Sequence, residues 1–446
     1  MLIELRKKHV ILKAGLIIVT FLSVLVLISA MLFLLRGNGR VIYIRRLILP
    51  FICIIFIICL IIFSKNSIEA ARKGINLWIG IVFPSLFPFF VASEILGKTG
   101  FVRIVGALLE PIMRPLFNVP GCGAYTLIMG ITSGYPMGAK ITSEMREEGM
   151  LTRIEAERML TFTNNSGPLF IFGAVAVGMF NMPAIGMLLF ICHVLACITV
   201  GIIFRFYKRN IREDSYQKYD TGKRLIYEFK KLKNSKHNFG NLFGNAVKNS
   251  IATILAVGGF IIFFSVLTSM LLDIGIVDKL TSAISVIGEK AGIEYGLIKS
   301  IIIGIFEITT GANLASEVYS AELAHRIIAV SFILGWAGLS VHSQVLGIIG
   351  HTDISIKPYL IGKFSQGILS SLYISIALRL FPNYFLTSSA ESFTYSGEFT
   401  ETISSDIVKR SLYYSVHALV IFAIIILLAW LLDKLIKKSF NKKIKC

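Results

Sequence analysis

The chain has 446 residues, 55% of them hydrophobic and 16% charged, with a formal net charge of +19 and a mean hydropathy of +0.75. A soluble globular domain carries about 25% charge, so these values exclude a soluble fold. The positive charge is gathered in a few loops between apolar runs, the mark of a cytoplasmic membrane face, and this sets nucleic-acid binding aside.

A helix needs about 20 apolar residues to cross the hydrocarbon core, and the stretches 10–35, 41–63, 75–96, 182–206, 251–272, 327–350, 358–380 and 412–432 reach or approach that length. The first follows Arg6, Lys7 and Lys8, as a signal peptide would, but it is too long and no small-residue cleavage site comes after it. It reads as a retained anchor. Residues 1–73 thus form two N-terminal spanning helices, whose orientation stays open because the loops on both sides of the first are basic. The six cysteines include no CxxC and no Cys/His pairing at metal spacing, so no disulfide, metal site or other cofactor is expected. No GxSxG, HExxH or P-loop is present to suggest an enzyme.

From residue 74 the order becomes informative. A spanning helix is followed by an amphipathic stretch, 101–117, and then by an apolar segment, 123–134, that ends in Ser133-Gly134-Tyr135-Pro136. Beyond it the chain turns charged at Lys140 and Glu144. This pattern predicts a re-entrant hairpin with its polar tip at Ser133–Pro136. Pro136, which lacks an N–H, would open the outgoing arm. Irregular backbone at membrane depth survives only where protein or a water-filled cavity covers it. The N-terminus of the outgoing arm favours an anion at the tip, and Lys140, one turn along, would add to that field.

Thr152-Arg153-Ile154-Glu155 fits a capping box, so a helix is predicted from Arg153 towards Thr163. Asn164-Asn165-Ser166-Gly167-Pro168 then breaks it, and Leu169 resumes it. Three polar side chains in an apolar span point to an unwound, substrate-facing turn. His193, alone in an apolar helix, reads as structural.

Residues 209–245 form a basic linker, with ten Lys/Arg against four acids over 207–245. It is predicted to be cytoplasmic. After it the order of 74–208 recurs in 246–382: a spanning helix, an amphipathic stretch at 276–287, and an apolar segment at 295–308 ending in Thr309-Thr310-Gly311-Ala312-Asn313. Phe101 aligns with Ile276 and Gly130 with Gly304 at nearly constant offset. Glu307 is the one carboxylate between Glu294 and Glu317, and an intramembrane carboxylate is a functional candidate by default, here for a coupling proton or cation. Ser340-Val341-His342-Ser343-Gln344 is the expected counterpart of the first break, with Ser343 and Gln344 as candidates for binding or for interhelical hydrogen bonds. Residues 383–446 comprise an acidic loop without Lys or Arg, a last spanning helix and a tail with six Lys.

The acidic loop belongs outside and the linker inside, so the two halves run in opposite senses. The predicted fold is all-α: an inverted-repeat transporter-like membrane protein with re-entrant hairpins and broken transmembrane helices, its site near the midplane. The predicted binding residues are Ser133, Gly134, Tyr135, Pro136, Lys140, Asn164, Asn165, Ser166, Glu307, Thr309, Thr310, Asn313, Ser343 and Gln344.

The runs Phe83-Pro84-Ser85-Leu86-Phe87-Pro88, Pro115-Leu116-Phe117-Asn118-Val119-Pro120-Gly121, Ser133-Gly134-Tyr135-Pro136-Met137-Gly138 and Phe162-Thr163-Asn164-Asn165-Ser166-Gly167-Pro168 resemble the YlbJ family of sporulation integral membrane proteins. The resemblance covers nearly the whole chain. It implies a nucleoside-recognition Gate domain similar to the hairpins of concentrative nucleoside transporters, and passage of dipicolinic acid across the outer forespore membrane. It transfers no ligand residue. A carrier of nucleosides or other small polar solutes, and a non-transporting scaffold for sporulation partners, are the alternatives. The expected partners are a small anionic substrate, the lipid bilayer and a coupling proton or cation; homo-oligomerisation is left open.

Overall fold

In a computed structural model the protein is described over residues 41–99, 101–209, 239–288 and 292–380. The predicted spans 10–35 and 412–432, the acidic loop and most of the basic linker lie outside these residues.

Helix α1, Val41–Ile62, meets the next helix at a 100° bend. The chain then runs unbroken from Ser64 to Lys98, as α2 (Ser64–Leu77), a π-helical turn (Trp78–Val82) and α3 (Phe83–Lys98). This helix begins eleven residues before the predicted span, on a polar stretch that the apolar count does not reach. Next come α4 (Phe101–Phe117), α5 (Gly123–Ser133), α6 (Met137–Glu147), α7 (Arg153–Thr163), the π-helical α8 (Leu169–Met179) and α9 (Pro183–Phe204). The second half holds α10 (Phe239–Asp273), α11 (Ile276–Gly288), α12 (Tyr295–Phe306), α13 (Ile308–Ser316), α14 (Leu323–Trp336), α15 (Gly338–Ile349) and α16 (Ile356–Leu380). There is no strand among the described residues. Helix α10 starts inside the stretch assigned by sequence to the linker.

Local chemistry accounts for most boundaries. Thr152 and Glu155 cap α7 reciprocally: the Glu155 N–H donates to Thr152 Oγ1 at 3.2 Å, and the Thr152 N–H donates to Glu155 Oε2 at 2.9 Å. Such a cap contributes about 1 kcal/mol. The arms α5, α6, α12 and α13 have 11, 11, 12 and 9 residues. At 1.5 Å per residue an arm reaches at most ~18 Å, too short to cross a ~30 Å core. Each pair is therefore a re-entrant hairpin.

The halves correspond in packing as well as in order. Arm α6 packs on α15 and arm α13 on α8; α7 packs on α16 and α14 on α9; α9 packs on α16, and α10 on both α2 and α3. Each of these cross-contacts has its mirror, as a two-fold relation between the halves requires. Apolar side chains such as Ile61, Leu255, Ile361 and Leu372 project outward, as they would towards lipid.

Glu157 marks one face of the molecule. Its carboxylate accepts from Arg153, Tyr207 Oη and Lys208, each at 3.0 Å, and from the Ser355 N–H at 3.3 Å. The end of α9, the start of α7 and the start of α16 thus lie together where the basic linker departs. Nearby, Arg146 grips Asp353 with bonds of 2.9 and 2.8 Å and holds that carboxyl below its ordinary pKa. Helix α16 has 25 residues, about 37 Å, and so carries residue 380 to the opposite face. Cysteines introduced at Ser235 and Ser396 should react with an impermeant thiol reagent from opposite sides of the membrane. Labelling of both from one side would exclude the inverted arrangement.

Candidate functional site

The first hairpin tip is shaped by backbone contact. Gly134 has φ +82°, and a Cβ there would lie 2.8 Å from the Gly167 nitrogen. Only glycine lets the tip rest on the α7/α8 break. Beside it, Ser133 Oγ is buried without a hydrogen-bond partner, and Tyr135 Oη donates to the Leu334 carbonyl of the second half at 3.1 Å. Pro136 starts the outgoing arm as its N-cap.

The break at 164–168 splits its polar groups between two directions. Asn164 Nδ2 donates to Tyr359 Oη at 3.1 Å, and the Asn164 carbonyl accepts from Lys363 Nζ at 2.9 Å. Asn165 Nδ2 donates to the Phe162 carbonyl at 2.8 Å, and its Oδ1 accepts from Gln366 Nε2 at 2.9 Å. Both asparagines therefore turn away from the tip towards α16, which corrects their expected substrate-facing position. Ser166 stays at the front: its N–H donates to His193 Nε2 at 3.2 Å and its Oγ has no partner. His193 is buried in this network, and acceptance at Nε2 leaves the neutral ring's proton on Nδ1.

In the second half the tip is Glu307 itself. Residues 309–313 are helical, one step further on than the sequence suggested. Glu307 caps α13, accepting from the Thr309 N–H at 2.9 Å, the Thr310 N–H at 2.6 Å and Thr310 Oγ1 at 2.7 Å. The positive end of that helix is thus already held by the protein's own carboxylate. Asn313 bonds Glu317 at 2.8 Å on the exposed side, away from the tip. The second break lies at Ala337 and Gly338, with φ of 79° and 82°, ahead of the polar run at 340–344. Gly338 sits against the tip, where a Cβ would be 3.1 Å from the Gly304 carbonyl oxygen.

Both tips, the first break and the start of α15 border one cavity of about 730 Å3, its open side included. Ser133, Gly134, Tyr135, Ser166, Glu307, Thr309, Ser340 and Gln344 line it, and Val82, Leu86, Val257 and Ile261 of the long helices close its flank. Glu307 is its one charged lining residue. Ser133 Oγ, Ser166 Oγ and Gln344 Oε1 are buried there without partners in the protein. Buried polar atoms are ordinarily paired; ten among the described residues are not, and three of those ten gather at this cavity, within reach of a polar solute. Ser343 and Asn313 lie outside the lining, and Thr310 is turned to Glu307.

A second cavity, about 970 Å3 with its open side included, shares Val257 and Gln344 with the first and runs past Lys140 and Glu144 to the His351–Glu147 pair. It is a vestibule leading towards the face that carries Asp353 and Glu157. Lys140 belongs here and not at the tip. Its Nζ pairs with Glu94 and donates to Thr253 Oγ1 at 3.2 Å, so it adds no charge to the tip cavity.

Lys363, Gln366, Tyr359 and Glu94 escaped the sequence reading. The signal for Lys363 was its place well inside a predicted span, where an ammonium group is rare; Glu94 sits likewise near the end of another. Among the described residues no cluster of three His, Cys, Asp or Glu could hold a metal.

A family model described as Gate, nucleoside recognition, matches residues 79–196, from the long helix through the first hairpin and break to α9. No solved structure matches. The sporulation integral membrane protein YlbJ of Bacillus subtilis (strain 168) is 42% identical over 321 residues, which are 70% of this chain and 78% of that protein. At that identity and coverage, this chain belongs to the YlbJ family of sporulation integral membrane proteins.

Proposed function

We propose that this protein is a carrier that moves dipicolinic acid out of the mother cell across the outer forespore membrane. The observation that supports it best is the convergence of two hairpin tips, the first helix break and helix α15 on one cavity with three partnerless polar atoms. Broken helices around a midplane cavity are the architecture of alternating-access carriers. With the basic linker in the cytoplasm, the vestibule opens to the mother-cell side. A dianion in this cavity meets the Glu307 carboxylate, so it is expected to travel with a compensating proton or cation. That same negative lining favours a second reading, a carrier of neutral polar solutes such as nucleosides.

Purified protein in liposomes should accumulate labelled dipicolinate, with uridine as the comparison. Uptake of uridine alone would select the second reading, and uptake of neither would leave the scaffold role. A fluorescent fusion should ring the forespore from the mother-cell side. Glu307→Gln keeps the shape and one acceptor, so it should insert normally. Loss of the carboxylate that the substrate's compensating proton or cation accompanies should lower uptake about tenfold. Wild-type uptake would reduce Glu307 to a helix cap.

A further inference from the structure

Lys363 is fully buried on α16, and no ion pair among the described residues reaches it. Its Nζ donates to the Asn164 carbonyl at 2.9 Å and to Gln366 Oε1 at 2.7 Å, and lies 5.1 Å from the centre of the Tyr135 ring. Helix α7 has just ended at Thr163, so the Asn164 carbonyl belongs to unwound backbone. Carbonyl oxygens freed at a helix break, with a side-chain amide oxygen beside them, are the ligands from which carriers build sodium sites. Here an amine tethered to the opposite half occupies that position.

We propose that Lys363 is the coupling residue of this carrier: its ammonium group fills the cation site at the α7/α8 break in place of sodium, and it takes up and releases the proton that drives the cycle. Position favours this role. Lys363 stands on the closing helix of one half and bonds the broken helix of the other, while Tyr135 of the first hairpin covers it. Movement of the hairpin tip therefore changes how the amine is solvated. A buried ammonium without a carboxylate is expensive, so its charge is conditional on those contacts. The titratable groups around it are Tyr135 from the hairpin, His193 and Cys197 from α9, His342 from α15 and Tyr359 on its own helix. The break after α7 presents the uncharged Asn164.

This inference rests on the carrier reading for its proton step, but its cation step can be tested without transport. In detergent, replacing potassium by sodium at constant ionic strength should leave the melting midpoint of the wild type unchanged. It should raise the midpoints of Lys363→Ala and Lys363→Gln by several degrees, because the vacated oxygens can now hold the ion. Sodium stabilisation of the wild type, or of neither variant, overturns the cation-site assignment. In liposomes, a pH gradient should drive dipicolinate accumulation by the wild type equally well in sodium and potassium. Lys363→Arg keeps a cation that does not give up its proton. It should fold and still exchange internal for external dipicolinate, yet lose at least tenfold of gradient-driven accumulation. Full gradient response in Lys363→Arg overturns the proton role. If the wild type moves no solute, the carrier reading and the proton step fail together, while the melting data still decide the cation site.

Discussion

Gly130→Ala should prevent the first hairpin from seating, with little or no monodisperse protein recovered from the membrane. Gly130 lies on α5, where a Cβ would fall on the backbone carbonyl oxygen of Thr163, far inside the 3.0 Å that real Cβ contacts keep. A flexible side chain could swing aside, but this carbonyl ends α7 at the break that organises the cavity. Gly138, on the other arm, presses on the same carbonyl, so retreat in either direction meets backbone. Overpacking a core costs about 1–3 kcal/mol when neighbours can yield; here about 3 kcal/mol or more is expected. Gly173→Ala is the control, since Gly173 is exposed and nothing lies within 4 Å of an added Cβ. Yield and melting midpoint by size-exclusion chromatography would check both. A wild-type midpoint for Gly130→Ala would mean that hairpin and break do not touch as described.

Lys140→Met should destabilise the protein by about 3–5 kcal/mol, the usual consequence of stripping one partner from a buried ion pair. The Lys140 and Glu94 side chains are 15% and 6% exposed, and Asn249 Nδ2, at 3.4 Å from Glu94, is a neutral and weaker substitute. Adding Glu94→Gln to Lys140→Met should restore most of the loss, because no uncompensated carboxylate then remains. The folded fraction of Lys140→Met should bind dipicolinate as the wild type does, since Lys140 does not reach the tip cavity. Denaturation midpoints for the two single variants and the double variant test the pairing. Loss of dipicolinate binding in stable Lys140→Met protein would return Lys140 to the site. The pair also fastens the first hairpin to the long helix α3.

Much of this fold is written in local chemistry. The lengths of the apolar runs, the glycine and proline at 134–136 and 167–168, and the capping box at Thr152–Glu155 mark spans, turns and helix starts without reference to anything distant. The recurrence of that order after the linker made the repeat legible, and the amphipathic helix Phe101–Phe117 falls on its predicted residues. The second break was less legible. Ala337–Gly338 has no proline and no polar cluster of its own, and the polar run three residues later drew attention instead.

Which polar group faces the cavity was decided only by packing. Asn164, Asn165 and Ser166 are adjacent and chemically alike, yet two of them are claimed by Tyr359, Lys363 and Gln366, 195 to 201 residues away. Lys140 is claimed by Glu94 across another helix, and Glu307 by the helix that it begins. Within the bilayer there is no water to satisfy a stray donor or acceptor, so whether a buried polar group is bonded or bare depends on what the fold brings to it. Sequence places those groups along the chain; their partners, and hence the three atoms left to face the cavity, exist only once helices from both halves have packed together.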